Sequence, residues 1–187
     1  MANQDYTYPG YAKIMHAGMA IFGITAFLTG EIAENGTGST GYYIHTYLGL
    51  SLAVFVLVRL YAGISGSGPM RFSGWSPFSS NQWKLTLEDV QSPIQLKVPE
   101  RGMHEGLSGI TQAFGLMLFG WMGLTGIGLF ILGDGVEDSL FELIEELHEV
   151  GEALIPLYLA LHVGSVLVHS MAGKPIWDRM WRFRKSG

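Results

Sequence analysis

The sequence predicts an all-α integral membrane protein built as a bundle of four transmembrane helices. Of its 187 residues, 48% are hydrophobic and only 14% are charged, whereas soluble domains carry about 25% charged residues. The apolar residues gather into four stretches, each with roughly the twenty residues that cross a bilayer. We expect the helices at about 11–30, 42–64, 107–132 and 150–171, within a single membrane domain over 1–187.

The first two stretches predict a retained helix and a helix followed by a long loop. The first runs too long for the apolar part of a signal peptide, and it lacks a basic lead and a small-residue cleavage site. After the second stretch comes a loop at 66–106 that mixes Gly, Pro, Ser, Trp and charged residues. In this loop Trp75, Phe78 and Trp83 are candidate anchors at the membrane–water interface.

Before the fourth stretch, the segment 136–147 predicts a short helix lying on the outer membrane surface. Its apolar residues recur at helical spacing with acids between them; they are Val136, Leu140, Leu143, Ile144 and Leu147. Two interpretations stay open. The segment is either an interfacial helix alone, or it also presents an acidic docking face to a basic partner protein.

The distribution of charge predicts the orientation in the membrane. All eleven Lys and Arg lie near the start of the first stretch, at the end of or after the second, or after the fourth. The other two loops have none, and seven acids lie between residues 134 and 149. Because loops rich in Lys and Arg stay in the cytoplasm, we expect a multi-pass protein of a bacterial cytoplasmic (inner) membrane. Both termini and the loop 66–106 are then cytoplasmic.

Two histidines, His148 and His162, lie fourteen residues apart in the fourth stretch. On a helix this spacing returns to nearly the same face and separates the two by roughly 21 Å, most of the thickness of the hydrocarbon core. Ionisable side chains inside a membrane are costly and therefore indicate a functional site. By depth, His45 pairs with His148 on the outer side, and His16 pairs with His162 on the inner side.

Two histidine pairs at two depths predict two b-type haems, whose iron takes axial imidazole. Complete bis-histidine ligation leaves no open position at the iron and favours electron transfer. The absence of cysteine excludes disulfides, thiolate-held iron–sulfur clusters and haem attached through C-x-x-C-H. We expect several glycines to clear space for the flat macrocycle, namely Gly18, Gly23, Gly49 and Gly151. Taken singly, a membrane histidine often only makes an interhelical hydrogen bond.

Two further histidines and two arginines lie towards the cytoplasmic side. His104 and His169 either form hydrogen bonds at the interface, including to haem propionates, or contact a proton path or a quinone. His169 replacing His162 as an axial ligand is a further alternative. Arg59 and Arg71 either neutralise haem propionates through charge-assisted hydrogen bonds or simply anchor the cytoplasmic side.

Several short segments resemble the cytochrome b561 family, closest to the branch with the b-type cytochrome subunits of membrane-bound nickel–iron hydrogenases. Glu146–Val150, Leu161–Val163 and Val168–Ser170 resemble the family's last helix. Arg59–Ile64 and Arg71–Ser73 resemble the end of its second helix. The family's axial ligands carry over to matching positions in this chain, with the pairing that depth indicates; they are His16, His45, His148 and His162.

This resemblance implies a membrane cytochrome that moves electrons between the quinone pool and a redox partner. The partner is a periplasmic cytochrome c, a hydrogenase or another oxidoreductase subunit, and the acidic outer face is where it would dock. The chain is thus expected to be an electron-transfer subunit more than a self-contained enzyme. One alternative is a stand-alone quinol oxidoreductase that reduces superoxide or ferric iron. Another is a haem-free transporter or scaffold. Nothing predicts catalytic side chains or nucleic-acid binding.

Overall fold

The computed structural model describes residues 8–33, 38–67, 70–91, 102, 104–133 and 139–181. These residues form helices and no strand, which confirms the predicted all-α class. Among the described residues, one 3₁₀ turn covers Phe72–Gly74. The α-helices are α1 (Gly10–Leu28), α2 (Gly30–Ala33), α3 (Thr40–Ser65), α4 (Ser80–Gln91), α5 (Leu107–Leu132), α6 (Ser139–Met171) and α7 (Asp178–Trp181).

Four of the helices are long and apolar enough to cross a membrane, as predicted: α1, α3, α5 and α6. Their large apolar side chains are widely exposed, and Leu124 and Ile131 on α5 are examples. In α5 and α6 only 11% of the most apolar window is buried within the protein. Soluble proteins rarely expose contiguous apolar surface on this scale, so these surfaces are lipid-facing in a multi-pass membrane protein.

The prediction of a separate outer helix at 136–147 is wrong for the part that the structure describes. Helix α6 begins at Ser139 and runs for 33 residues without interruption, so 139–147 form its first turns; 136–138 lie outside the described residues. No Gly or Pro occurs between Ser139 and Val150 to end a helix. At about 50 Å, α6 is longer than the roughly 30 Å hydrocarbon core, so its acidic first turns extend beyond the apolar span.

Part of the predicted loop 66–106 is helical. Ser79 precedes α4 and its Oγ accepts a hydrogen bond from the backbone N–H of Gln82 at 3.2 Å. Ser followed three residues later by Gln is the pattern of a capping box, and this was the signal for a helix that the hydropathy pattern did not show. Residues 68–69, 92–101 and 103 of this loop lie outside the described part of the chain.

The chain forms two compact units, whose boundaries fall within the four long helices. The first consists of 1–14, 60–115 and 158–187, and the second of 15–59 and 116–157. In the second unit Leu52, Val56, Leu118 and Ile155 are buried. In the first unit the buried side chains include polar ones, namely Gln82, Thr86 and His104. The organisation as a single domain stays a prediction.

Candidate functional site

The second unit brings the imidazole rings of His45 on α3 and His148 on α6 next to each other, with their planes nearly perpendicular. Their ring centroids lie 6.3 Å apart, and the ring planes are inclined by 81°. The two histidines were predicted to lie at the same depth, and the structure places their rings next to each other. Both side chains are partly buried, so the pair is held inside the helical packing.

Hydrogen bonds set the orientation of both imidazoles. The Nδ1–H of His45 donates to the backbone carbonyl oxygen of Ala26 at 3.0 Å, because a carbonyl can only accept. The Nδ1 of His148 lies 2.8 Å from Thr125 Oγ1, and this hydroxyl donates to the Trp121 carbonyl at 2.9 Å. The hydroxyl therefore accepts from the His148 Nδ1–H. Each Nε2 is left with its lone pair, as metal-binding histidines require.

The two rings lie close enough for both histidines to contact one bound group, since their centroids are 6.3 Å apart. No group of three or more His, Cys, Asp or Glu among the described residues is arranged to hold a bare metal ion. Two histidines suffice only where a macrocycle supplies the other ligands, as in bis-histidine haem.

A cavity of about 300 Å³ adjoins the histidine pair, within the range of cofactor sites. Its walls come from α1, α2, α3, α5 and α6 of the second unit and are largely apolar. They include the two histidines and five glycines, which are Gly23, Gly30, Gly49, Gly123 and Gly126. An apolar cavity beside two imidazoles with free Nε2 atoms is what a flat hydrophobic macrocycle requires.

The glycines predicted to clear space for a macrocycle do so only in part. Nothing lies within 4 Å of a Cβ built at Gly49, and Gly23 also lines the cavity. A Cβ at Gly126, which sequence reasoning missed, would lie 3.4 Å from His148 Cε1. In contrast, the space beside Gly18 is taken by the Phe55 ring, and that beside Gly151 by Met122 and Trp121. Those two glycines permit close helix packing in this structure.

Three carboxylates of α6 line the same cavity: Glu145, Glu149 and Glu152. Together with His148 they follow the three- and four-residue spacing of one helix face. Glu152 was missed in the sequence, where the acids of this region were assigned to the membrane surface. Its position one turn beyond His148 gives the cavity an acidic wall.

The predicted inner pair is divided between the units, since His16 belongs to the second and His162 to the first. Within the first unit, the His162 ring stacks on Tyr158, with centroids 5.5 Å apart and planes inclined by 17°. Tyr158 in turn packs edge-on against Phe114 at 6.0 Å. Sequence reasoning missed this tyrosine, although its place four residues before His162 on a helix brings the two side chains together.

The two surplus histidines occupy different environments in the first unit. His104 is buried, has a left-handed backbone with φ 59°, and packs its ring 5.0 Å from that of Trp75. Trp75, predicted to be an interface anchor, is itself buried. His169 donates its Nδ1–H to the Ser165 carbonyl oxygen at 2.8 Å, which leaves its Nε2 able to accept a hydrogen bond.

The two candidate arginines also differ. Arg59, near the end of α3, is only 3% exposed, whereas Arg71 is exposed. A side chain that only anchors the cytoplasmic side reaches water, so burial favours an internal role for Arg59. Lys13 on α1 is buried as well, and sequence reasoning used it only to assign topology.

The fold and this site together define a class: a multi-span, all-α membrane protein with two facing imidazoles beside an apolar cavity. The chain belongs to the prokaryotic cytochrome b561 family, whose model matches residues 7–183. Membership implies a b-type haem and electron transfer in a membrane. No curated protein and no solved structure matches the chain.

Proposed function

We propose that this protein is a two-haem conduit that passes electrons across the inner membrane between the quinone pool and a redox partner. The observation that carries the proposal is the pair His45 and His148, with centroids 6.3 Å apart and both Nδ1 atoms engaged elsewhere. These two side chains would hold the outer haem. Their neighbours form the apolar cavity that would enclose the macrocycle.

The inner haem is assigned to His16 and His162. The assignment is supported by the fourteen-residue spacing of His148 and His162 on α6, which corresponds to roughly 21 Å of ideal helical rise. The stacking of Tyr158 on His162 supports it further, because a packed aromatic ring fixes the orientation of the imidazole. Helix α6, which has Pro156 between the two histidines, would thereby carry one ligand of each haem.

Bound b-type haem supplies one-electron oxidation and reduction. The histidine side chains would hold the haem iron, and the hydrogen bonds at the Nδ1 atoms of His45 and His148 would set their tautomers. The hydrogen bond from His148 to Thr125 and that from His45 to the Ala26 carbonyl increase the basicity of each Nε2. The buried Arg59 guanidinium is the candidate to neutralise a haem propionate, in preference to the exposed Arg71.

Charge assigns the outer end of the conduit, and a hydrogen-bond acceptor assigns the inner end. With both termini in the cytoplasm, the acidic cavity wall of Glu145, Glu149 and Glu152 faces the outer side, where it would attract a basic redox protein. Quinone is assigned to the inner side, where His169 Nε2 can accept a hydrogen bond from a quinol. His104 is less suited to that contact, because its ring is packed against Trp75.

Haem content of purified variants tests the proposal. We expect a reduced b-type absorption band from two haems in the native protein, one haem in His148→Ala and one in His162→Ala. His169→Ala is the matched control, because it removes an imidazole from the same helix without removing an assigned ligand, and it should keep both haems. Two haems in His148→Ala would refute the outer assignment, and two in His162→Ala the inner one.

A stand-alone quinol oxidoreductase is the second candidate, and the acidic cavity wall bears on its acceptor. Carboxylates beside the outer site disfavour an anion such as superoxide and favour a cation such as ferric iron. Purified protein with quinol should then reduce a cationic iron complex faster than an anionic one. Full turnover without any protein partner would support this candidate over the conduit, and negligible turnover with both complexes would eliminate it.

A further inference from the structure

Helix α4 has an inverted distribution of polar and apolar side chains. Gln82 and Thr86 are buried, whereas Trp83, Leu87 and Val90 are each more than half exposed. A helix on the surface of a water-soluble domain shows the opposite arrangement. The exposed apolar side chains therefore require a partner that is itself apolar.

The polar face of α4 is held by the chain that begins α5. Gln82 Nε2 donates to the carbonyl oxygens of His104 at 2.9 Å and Gly106 at 3.1 Å. Asp89 Oδ2 accepts the backbone N–H of Leu107, the first residue of α5, at 2.9 Å. Since α5 is one of the membrane-crossing helices, these bonds fix α4 beside the point where the chain starts to cross.

At 100° per residue, the side chains of α4 divide into three faces about 120° apart. The first is the inward face, with Gln82 and Thr86 buried and Leu85 and Asp89 half-buried. The second is an apolar stripe about 60° wide, formed by Trp83, Leu87 and Val90. The third is an exposed polar face with Asn81, Lys84 and Glu88. A helix in contact with protein, lipid and water at once needs three such faces.

We propose that α4 lies in the lipid–water interface, with the stripe of Trp83, Leu87 and Val90 inserted among the lipid acyl chains. The hydrogen bonds to the start of α5 place α4 beside the end of a helix that is apolar enough to cross the membrane. Tryptophan is enriched at this depth, and Phe78, just before the helix, is 90% exposed. A narrow apolar stripe beside a charged face is the pattern of helices that lie in the interface.

Spin labels on single cysteines test the placement in the full chain, reconstituted in liposomes. Because the chain has no cysteine, one introduced cysteine is the only site of labelling. Leu87→Cys places the nitroxide on the apolar stripe, and Asn81→Cys is the matched control on the polar face of the same helix. Collision with oxygen, which concentrates in lipid, is compared with collision with a water-soluble nickel chelate.

We expect the oxygen-to-nickel collision ratio to be several-fold higher for the label at Leu87 than for the label at Asn81. Val90→Cys repeats the measurement on the stripe if Leu87→Cys fails to fold, and the b-type haem spectrum verifies the fold of each variant. Equal nickel access at both faces would place the stripe in water and overturn the proposal. A stripe label shielded from both reagents would show that protein covers it, and this too would overturn the proposal.

Discussion

Replacing Thr125 by Val removes the hydroxyl that accepts the Nδ1–H of His148 at 2.8 Å and preserves the shape of the side chain. In the native protein this hydrogen bond draws the proton away from the imidazole and makes Nε2 a stronger electron donor. A stronger donor stabilises ferric iron over ferrous iron. The variant should therefore raise the reduction potential of the outer haem while keeping that haem bound.

The size of the shift follows from the strength of one hydrogen bond. A single intramolecular hydrogen bond has a net worth of about 1 kcal/mol. If this free energy acts wholly on the ferric state, it corresponds to about 40 mV, since a tenfold change in a one-electron equilibrium is 59 mV. Thr125→Ser keeps the hydroxyl and should leave the potential near the native value.

A spectroscopic redox titration of the protein in lipid nanodiscs would follow both proposed haems in one experiment. Only the component that His148→Ala eliminates should move in Thr125→Val, and its low-spin ferric electron paramagnetic resonance signal should shift with it. An unchanged midpoint and signal, with both haems retained, would show that the Thr125 hydroxyl does not act on the ligand. The loss of a haem in His148→Ala is independent of that result.

Three further changes test other contacts of the structure. Gly49→Leu should fill the cavity and lower the content of outer haem. Gly120→Leu is the control, because Gly120 is equally open but lies outside the cavity wall, and it should leave the haem content unchanged. Equal haem content in both variants would argue against the cavity as the haem site. Tyr158→Leu should speed transfer of the inner haem to apomyoglobin up to about tenfold, because an aromatic stack is worth about 0.5–1.5 kcal/mol. Tyr158→Phe keeps the aromatic ring and should not change the transfer rate. Equal transfer rates in the two variants would rule out a role for the stack. Asp89→Ala removes the acceptor for the first N–H of α5. It should lower the free energy of unfolding by about 1 kcal/mol, which corresponds to about 2–4 °C in Tm. An unchanged Tm by calorimetry would show that the hydrogen bond contributes nothing to stability.

Hydropathy predicted the four membrane-crossing helices well, but it misplaced the beginning of α6. The run of apolar residues begins only at residue 150, because acids precede it, whereas the helical backbone hydrogen bonds already begin at Ser139. Backbone hydrogen bonds, not hydropathy, define where a helix begins, and acidic residues in its first turn stabilise it. Similarly, both Trp75 and Trp83 were predicted to be interface anchors because they are tryptophans, but only Trp83 is exposed and Trp75 is buried.

Spacing and charge bias grouped His45 with His148 before any geometry was known. The contacts of the pair were not predictable, because Thr125 and Gly126 lie on α5 and reach His148 only after the helices pack. It was likewise not predictable that Glu152 and His45 line one cavity, because the two residues are remote in sequence. The pairing of His16 with His162 stays a prediction.

The sequence by itself determined the membrane environment of this protein and predicted the depth of its histidines. Transfer of apolar residues into lipid is roughly additive along a chain, and helical rise converts residue number into depth. Only the tertiary structure decided which atom meets which: Thr125 with His148, Tyr158 with His162, and Gln82 with the start of α5. Hydrogen bonds and ring contacts depend on distances of a few ångströms between segments remote in sequence, and helix packing alone sets those distances.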